Sequence, residues 1–166
     1  MSSISKAESI LEKAFRNGRL HHAILLYGNS ATALEDVAKK TASLLFGRPC
    51  ARHPDLFELR PEGKMRLIKI GSASDRAGGD WPPNTMRKLL RDIRQSPSAG
   101  AVKVAIVHEA DRMNAESANA FLKTLEEPPA HVKFIFATTE IRKVPVTVLS
   151  RCQRFDLQRL TIEDLT

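Results

Sequence analysis

A short stretch after an apolar run has the layout of a phosphate-binding loop without its chemistry. The run Ala23–Tyr27 (AILLY) is followed by Gly28, by small residues and then by a helix-like segment. A working loop follows G-x-x-x-x-G-K-S/T, because its glycines let backbone N–H groups approach the phosphates while the lysine and the hydroxyl supply charge and hold Mg²⁺. Counted from Gly28, the last three positions are occupied by Ala33, Leu34 and Glu35. We predict a decayed site that binds no ATP; a purely structural strand-to-helix turn is the alternative.

The end of a second apolar run lacks the aspartate that would hold a metal ion. Phosphate-loop proteins hold the metal ion with an aspartate at a strand end, but the run VAIV is followed here by His108, and only Glu109 remains of the usual acidic pair. A single histidine at a strand end is more often a structural residue than a metal ligand, and no other histidine or cysteine lies at metal-ligand spacing around it. We therefore expect no bound Mg²⁺.

Positive charge is concentrated in the middle of the chain. The formal net charge is +7, and segment 60–103 alone carries roughly +6. Within it, Arg87, Arg91 and Arg94 follow i, i+4, i+7 spacing on one face of a helix predicted over 84–95, with an asparagine cap. Such a stripe could contact DNA phosphates, and an ordinary solvated helix face is the alternative. No aromatic residue interleaves with the stripe, so base stacking is not predicted.

The elements that must position these residues alternate along the chain. Apolar runs typical of buried strands occur at AILLY, VAIV and FIFA, and helical spacing occurs in SISKAESILEKAF, LEDVAKKTASLLF, NTMRKLLRDIRQ and NAESANAFLKTLEE. DLFELRPEGKMRLIKI predicts two strands, VPVTVLS a short helix and CQRFDLQ a final strand. For 166 residues of which 42% are hydrophobic, this alternation predicts a single α/β domain with a mainly parallel sheet flanked by helices.

The longest apolar runs are strand-sized. They fall well below the roughly 18 to 20 residues that cross a bilayer, and the N-terminal segment MSSISKAESILEKAF lacks the apolar core of a signal peptide. We expect a cytoplasmic protein with no membrane partner.

The segment NAFLKTLEEPPAHVKFIFATTEIRKVPVTVLSRCQRFDL resembles the core of the AAA+ clamp-loader ATPases, and HHAILLYG and HPDLFEL occur in the order that this family shows. The resemblance covers nearly the whole chain. It implies an AAA+-type, P-loop NTPase-like domain over 1–160, with 161–166 starting a helical lid domain. It also implies a role in DNA replication, with partners among the other clamp-loader subunits (ATP-hydrolysing motor subunits and a delta-like subunit), the sliding clamp and primed DNA.

Within that family, a lost phosphate loop beside a retained LSRC motif is most similar to subunits that do not hydrolyse ATP. The resemblance implies that Arg151 acts as an arginine finger in trans, near the surface at the end of the short VTVLS helix and free to reach a neighbour's ATP. The alternative is a surface arginine in a salt bridge. Thr138 and Thr139 stand where the family has the polar sensor of the γ-phosphate, which implies a vestigial sensor.

The resemblance fails between LLFG and HPDLFEL, where the family usually inserts four zinc-binding cysteines. Only RPCAR remains there, and because Cys50 cannot close a tetrahedral site alone, no zinc is predicted. Two other functions stay open: an active ATPase of the motor-subunit type with an aberrant loop, and a basic DNA-binding adaptor.

Overall fold

The computed structural model describes residues 3–72 and 78–157. Its centre is a five-stranded sheet in which every pairing is parallel and the strand order is β2-β3-β4-β1-β5. The strands are β1 (Ala23–Tyr27), β2 (Leu56–Leu59), β3 (Lys103–Val107), β4 (Val132–Thr138) and β5 (Gln153–Asp156). The predicted α/β fold with a mainly parallel sheet is therefore confirmed.

Helices cover both faces of the sheet. They are α1 (Ser3–Arg16), α2 (Ala31–Phe46), α3 (Met86–Ile93), α4 (Ala115–Glu126) and α5 (Val146–Leu149), with short 3-10 helices at Ala110–Arg112 and Ile141–Lys143. Because strand side chains alternate between faces, Ile24 and Leu26 of β1 pack with α1 and α2, while Leu25 packs with α3, α4 and α5. The two cores explain why β1 and β3 are almost continuously apolar.

The register brings the ends of several strands to one edge of the sheet. Tyr27 at the end of β1 pairs with Thr138 at the end of β4, and Val107 at the end of β3 pairs with Leu59 at the end of β2. Ligand sites of open parallel sheets lie outside these carboxyl ends. The residues that were singled out after β1, β3 and β4 therefore meet at this edge.

The prediction of two strands in DLFELRPEGKMRLIKI is wrong for the second strand. After β2 the chain forms only a turn, closed by an isolated antiparallel bridge between Glu62 and Leu67. Pro61 has no N–H to donate, and Gly63 and Arg66 take left-handed φ angles of 75° and 52°. The segment therefore pairs with itself and adds no strand to the sheet.

The basic helix also differs from the prediction. Its cap is Thr85, whose hydroxyl accepts a hydrogen bond from the Lys88 N–H at 3.3 Å, and the helix ends at Ile93. Asn84 takes a left-handed φ of 57° and bonds instead to Arg60, accepting from its N–H at 2.7 Å and donating to its carbonyl at 2.9 Å. The asparagine fixes the end of β2 to the start of α3.

Within the described ranges no helix combines the length and apolarity needed to cross a membrane. The predicted boundary between residues 160 and 161 lies outside those ranges.

Candidate functional site

The loop between β1 and α2 is short and already capped. Residues 28–30 connect the two elements, and the Ser30 hydroxyl accepts a hydrogen bond from the Ala33 N–H at 3.2 Å. A phosphate at a helix N-terminus would use such N–H groups. The Ala33 N–H, one of the donors that a bound phosphate would use, is therefore already bonded to the serine of its own helix. The Gly28 N–H is also engaged, because it donates to the Thr138 carbonyl at 3.4 Å.

Leu34 belongs to the hydrophobic core. Its side chain is 2% exposed and packs in the cluster that includes Leu26 and Val37. Burying a leucine stabilises a fold by about 1.5–3 kcal/mol. The position that carries the phosphate-binding lysine in a working loop contributes here to stability.

Glu35 lies in a cluster of four charged or polar side chains, which we call the ion cluster: Glu35, Glu58, Arg60 and His108. The Arg60 guanidinium donates to Glu35 and, at 3.2 Å, to Glu58. His108 lies 2.8 Å from Glu58 through Nε2 and 3.8 Å from Glu35 through Nδ1. The two residues that replace the loop hydroxyl and the metal-holding aspartate are thus brought together at the edge of the sheet.

Charge compensation inside the ion cluster favours the ionised carboxylates. The hydrogen bond from Arg60 holds the pKa of Glu35 below its ordinary value, and the hydrogen bond from His108 does the same for the pKa of Glu58. Ligand atoms of Glu35, Glu58 and His108 lie within 4.8 Å of one another, close enough in principle for a metal ion. The Arg60 guanidinium already contacts both carboxylates, so one positive charge partly offsets the two negative charges of the cluster.

Sequence reasoning missed Glu58 and Arg60. Both lie at the carboxyl end of β2, and the His108 N–H donates to the Leu59 carbonyl at 2.9 Å, which places β2 beside the residue after β3. The signal in the sequence was the pair of charged residues at the end of a strand, but pairing with His108 follows only from the strand order.

Glu109 and Thr138 form hydrogen bonds outside the ion cluster, and Thr139 is exposed. Glu109 takes a left-handed φ of 51° and accepts from Arg66 at 2.6 Å. Thr138 is buried, donates its hydroxyl to Asp111 at 2.7 Å and accepts from the Glu140 N–H at 2.9 Å, whereas Thr139 is exposed. The Thr138 hydroxyl is therefore engaged inside the domain.

Arg151 lies at the surface directly after α5, at the position predicted for it. Its side chain is 31% exposed. Nη2 donates to Glu126 at 2.7 Å, while Nη1 donates to the Thr147 carbonyl at 2.7 Å and to the Ser150 hydroxyl at 3.3 Å. The guanidinium is thus paired within its own chain, in contrast to the expectation that it would be free.

The three arginines of the basic helix line one hollow of about 520 Å³. Arg87 donates to the Gly71 carbonyl at 2.9 Å and lies 5.1 Å above the ring of Trp81. Arg91 pairs with Asp80 at 2.6 Å, and Arg94 caps the helix C-terminus. No aromatic residue interleaves with the stripe along α3, but the loop before α3 brings Trp81 against Arg87, a contact that the spacing did not predict.

Comparisons with known proteins agree with this architecture. The family model described as DNA polymerase III, delta subunit, matches residues 4–161. The DNA polymerase III subunit tau of Salmonella typhimurium is 38% identical over 154 residues, which are 89% of this chain and 23% of that protein. A solved DNA polymerase III gamma subunit-related protein of Thermotoga maritima is 26% identical, with a TM-score of 0.69 over 93% of this chain and 45% of that one.

A third likeness concerns the fold alone. The DNA clamp loader delta protein of Bacillus subtilis is 13% identical, with a TM-score of 0.53 over 90% of this chain and 42% of that chain. The chain spans less than a quarter of the length of the tau subunits of Salmonella typhimurium and Escherichia coli. Since the family model covers almost all of the sequence, the resemblance to AAA+ clamp loaders is confirmed, and the chain belongs to the DNA polymerase III delta-subunit family.

Proposed function

We propose that this chain is a clamp-loader subunit of the delta-prime type, which hydrolyses no ATP itself and supplies Arg151 in trans to the ATP site of a neighbouring motor subunit. The observation that carries the proposal is the ion cluster, which fills the edge of the sheet where a nucleotide's phosphates would bind. The family supports the role in clamp loading.

The ion cluster opposes nucleotide binding through charge. Glu35 and Glu58 present carboxylates where a triphosphate would add like charge, and two unit charges 4 Å apart repel by about 4 kcal/mol at an effective dielectric constant of 20. Arg60 is already engaged with both carboxylates. With Leu34 buried in the core, the cation that a phosphate loop needs is missing as well, so we propose that no ATP or Mg²⁺ binds.

Arg151 suits a role in trans because its geometry does not depend on nucleotide in its own domain. It follows α5, whose Val148 is fixed in the core, and its guanidinium is at the surface. A planar, permanently charged fork stabilises charge that develops on transferred phosphoryl oxygens. The same residue can therefore act at a neighbour's site while its own site is closed.

A second proposal concerns DNA. The Trp81 ring, Arg87, Arg91 and Arg94 together form a basic hollow with an aromatic wall. Arginines contact phosphates without regard to sequence, and an aromatic ring offers a face on which a base can stack. We propose this hollow as the contact of the chain with primed DNA.

The active-ATPase alternative draws on the relatives named tau and gamma, to which this chain is up to 38% identical. The ion cluster and Leu34 argue against it. An adaptor that binds DNA without loading clamps would keep the basic hollow but would not depend on Arg151.

The arginine finger is tested in a clamp loader reconstituted from the full-length protein. Arg151→Ala should lower ATP turnover that is stimulated by DNA and clamp, because one interface loses a finger that contributes on the order of a thousandfold in rate in related systems. The loss in total rate should be partial, since other interfaces keep their own arginines. Arg142→Ala is the control, because Arg142 is an exposed arginine in the short 3-10 helix that precedes α5. Unchanged turnover and clamp loading with Arg151→Ala would contradict the proposal.

A further inference from the structure

In the described part of the chain, Arg151 forms an ion pair with Glu126. The pair joins Nη2 of Arg151 to Oε1 of Glu126 at 2.7 Å. Building on the proposed function, we propose that Glu126 is a positioning residue that holds the finger in a resting place. The finger then acts when the γ-phosphate of the neighbouring nucleotide replaces the Glu126 carboxylate.

The two side chains are set by helices that are packed together. Glu126 is the last residue of α4 and Arg151 follows α5. Leu125, next to Glu126, and Val148 of α5 are buried in the same core cluster. The distance between the two backbones is thus fixed by the fold, and the resting place exists without any nucleotide or partner.

The pair is placed where it can open easily. The Glu126 side chain is 50% exposed and the Arg151 side chain 31%. Exposed ion pairs contribute little to stability, so a ligand with more negative charge can displace the carboxylate. A terminal phosphate offers several charged oxygens to the same planar donor fork.

Pairing with Glu126 also weakens the electrostatic stabilisation that Arg151 can give to a transferred phosphoryl group. While Glu126 accepts from the guanidinium, part of the arginine's positive charge is compensated and less remains for developing charge on the phosphoryl oxygens. Bonds from Nη1 to the Thr147 carbonyl and the Ser150 hydroxyl hold the other arm of the guanidinium and add no formal negative charge. Exchange of Glu126 for phosphate therefore changes the finger from a compensated state to an active one.

A simpler role for the pair makes a different prediction. A carboxylate in the last turn of a helix interacts unfavourably with the helix dipole, and a nearby cation offsets that effect. If Arg151 only stabilised the end of α4, removing Glu126 would change stability without an effect on turnover that depends on Arg151.

The test is a double-mutant cycle in the reconstituted loader with full-length protein. Glu126→Ala, Arg151→Ala and the double variant are compared for ATP turnover without clamp or DNA, with Glu127→Ala as the matched control. Glu127 is the adjacent exposed glutamate. We expect Glu126→Ala to raise this turnover by up to about fivefold, the range open to a weak exposed pair, and Glu127→Ala to leave it unchanged. In the Arg151→Ala background, Glu126→Ala should have no effect.

Three results would overturn parts of the account separately. If Arg151→Ala lowers turnover but Glu126→Ala is silent, the resting place is refuted and the finger stands. If Glu126→Ala raises turnover equally with and without Arg151, the resting place is refuted too. If Arg151→Ala changes nothing, the proposed function itself fails. Glu126→Gln, which keeps the shape and removes the charge, should give the same increase, so that a fold defect in the alanine variant cannot imitate the result.

Discussion

At the scale of single residues, Leu34 links the proposed loss of nucleotide binding to the stability of the domain. Replacing it with the lysine of a working loop should lower the free energy of unfolding by about 2–4 kcal/mol, because leucine burial is lost and an ammonium group is desolvated without a phosphate partner. Urea denaturation of the chain at neutral pH measures the change.

Thr32→Lys is the matched control for Leu34→Lys. Thr32 is exposed in the first turn of the same helix, so a lysine there gains the same charge without entering the core. Equal stability of the two variants would show that position 34 tolerates the charged side chain and that its burial does not close the site.

Because of the ion cluster, we expect the stability of the domain to depend on pH through Glu35 and Glu58. The pKa values of Glu35 and Glu58 are lowered from 4.5 in the folded chain by hydrogen bonds from Arg60 and His108 respectively. Their contribution to stability is therefore present above pH 4.5 and is lost as the pH falls through the lowered folded pKa values. Arg60→Met should reduce stability at pH 7, and the difference from the parent should shrink as the pH falls below 4.5.

Denaturation curves at several pH values, with Arg19→Met as control, measure this effect. Arg19 is an exposed arginine between α1 and the amino end of β1. A difference between the Arg60→Met variant and the parent that stays constant from pH 7 to the acid range would refute the assigned role of the carboxylates.

Sequence spacing located Leu34, Glu35 and His108 but could not show which side chains they contact in the fold. Glu35 and His108 are far apart in the chain, and their approach depends on α2 lying beside the ends of β2 and β3. The position of Arg60 in the ion cluster could not be predicted for a further reason. Its backbone is fixed by Asn84, a residue whose pattern predicted a helix cap.

At the scale of elements, α3 and the loop before it predict how DNA binds. Changing Arg87, Arg91 and Arg94 to glutamate should weaken binding to primed DNA and flatten its dependence on salt, because fewer counterions are released. Trp81→Ala should weaken binding to the single-stranded part by about fivefold or more, the effect of losing one stacked base. Fluorescence anisotropy over a range of salt concentrations measures both.

The control for the arginine changes carries the same charge reversal elsewhere. Lys13, Arg19 and Arg52 are exposed basic residues outside α3, and their triple change to glutamate should leave most of the affinity and the salt slope. An identical effect of both triple variants would mean that only the net charge matters and that the hollow is a solvated face.

The elements themselves were largely predictable because local signals and tertiary contacts agreed. Apolar runs identified β1, β3 and β4, and helical spacing identified α1, α2 and α4. The errors arose where tertiary contacts prevailed. Asn84 bonds to the backbone of Arg60, so Thr85 caps the helix, and the segment after β2 closes on itself through the bridge between Glu62 and Leu67.

At the scale of the whole molecule, one sheet separates two layers with different tasks. On one side, α2 carries Leu34 and Glu35 of the site that we propose is closed to nucleotide. On the other side, α3 carries the basic hollow, and α4 and α5 position the pair of Glu126 and Arg151. The strand order could not be read from single elements. The resemblance carried by the LKTLEEPP to SRC segment nevertheless predicted the fold class, an AAA+-type domain with a mainly parallel sheet.

The measurement that most directly tests the central claim, a closed nucleotide site, is calorimetric titration of the chain with ATP and Mg²⁺. With the site closed, we expect no saturable heat up to about 1 mM ligand, which corresponds to a binding free energy weaker than about −4 kcal/mol. Saturable binding with a Kd in the micromolar range that requires Mg²⁺ would contradict it. The ion cluster would then be displaceable by nucleotide, and the chain would belong with the ATP-hydrolysing subunits.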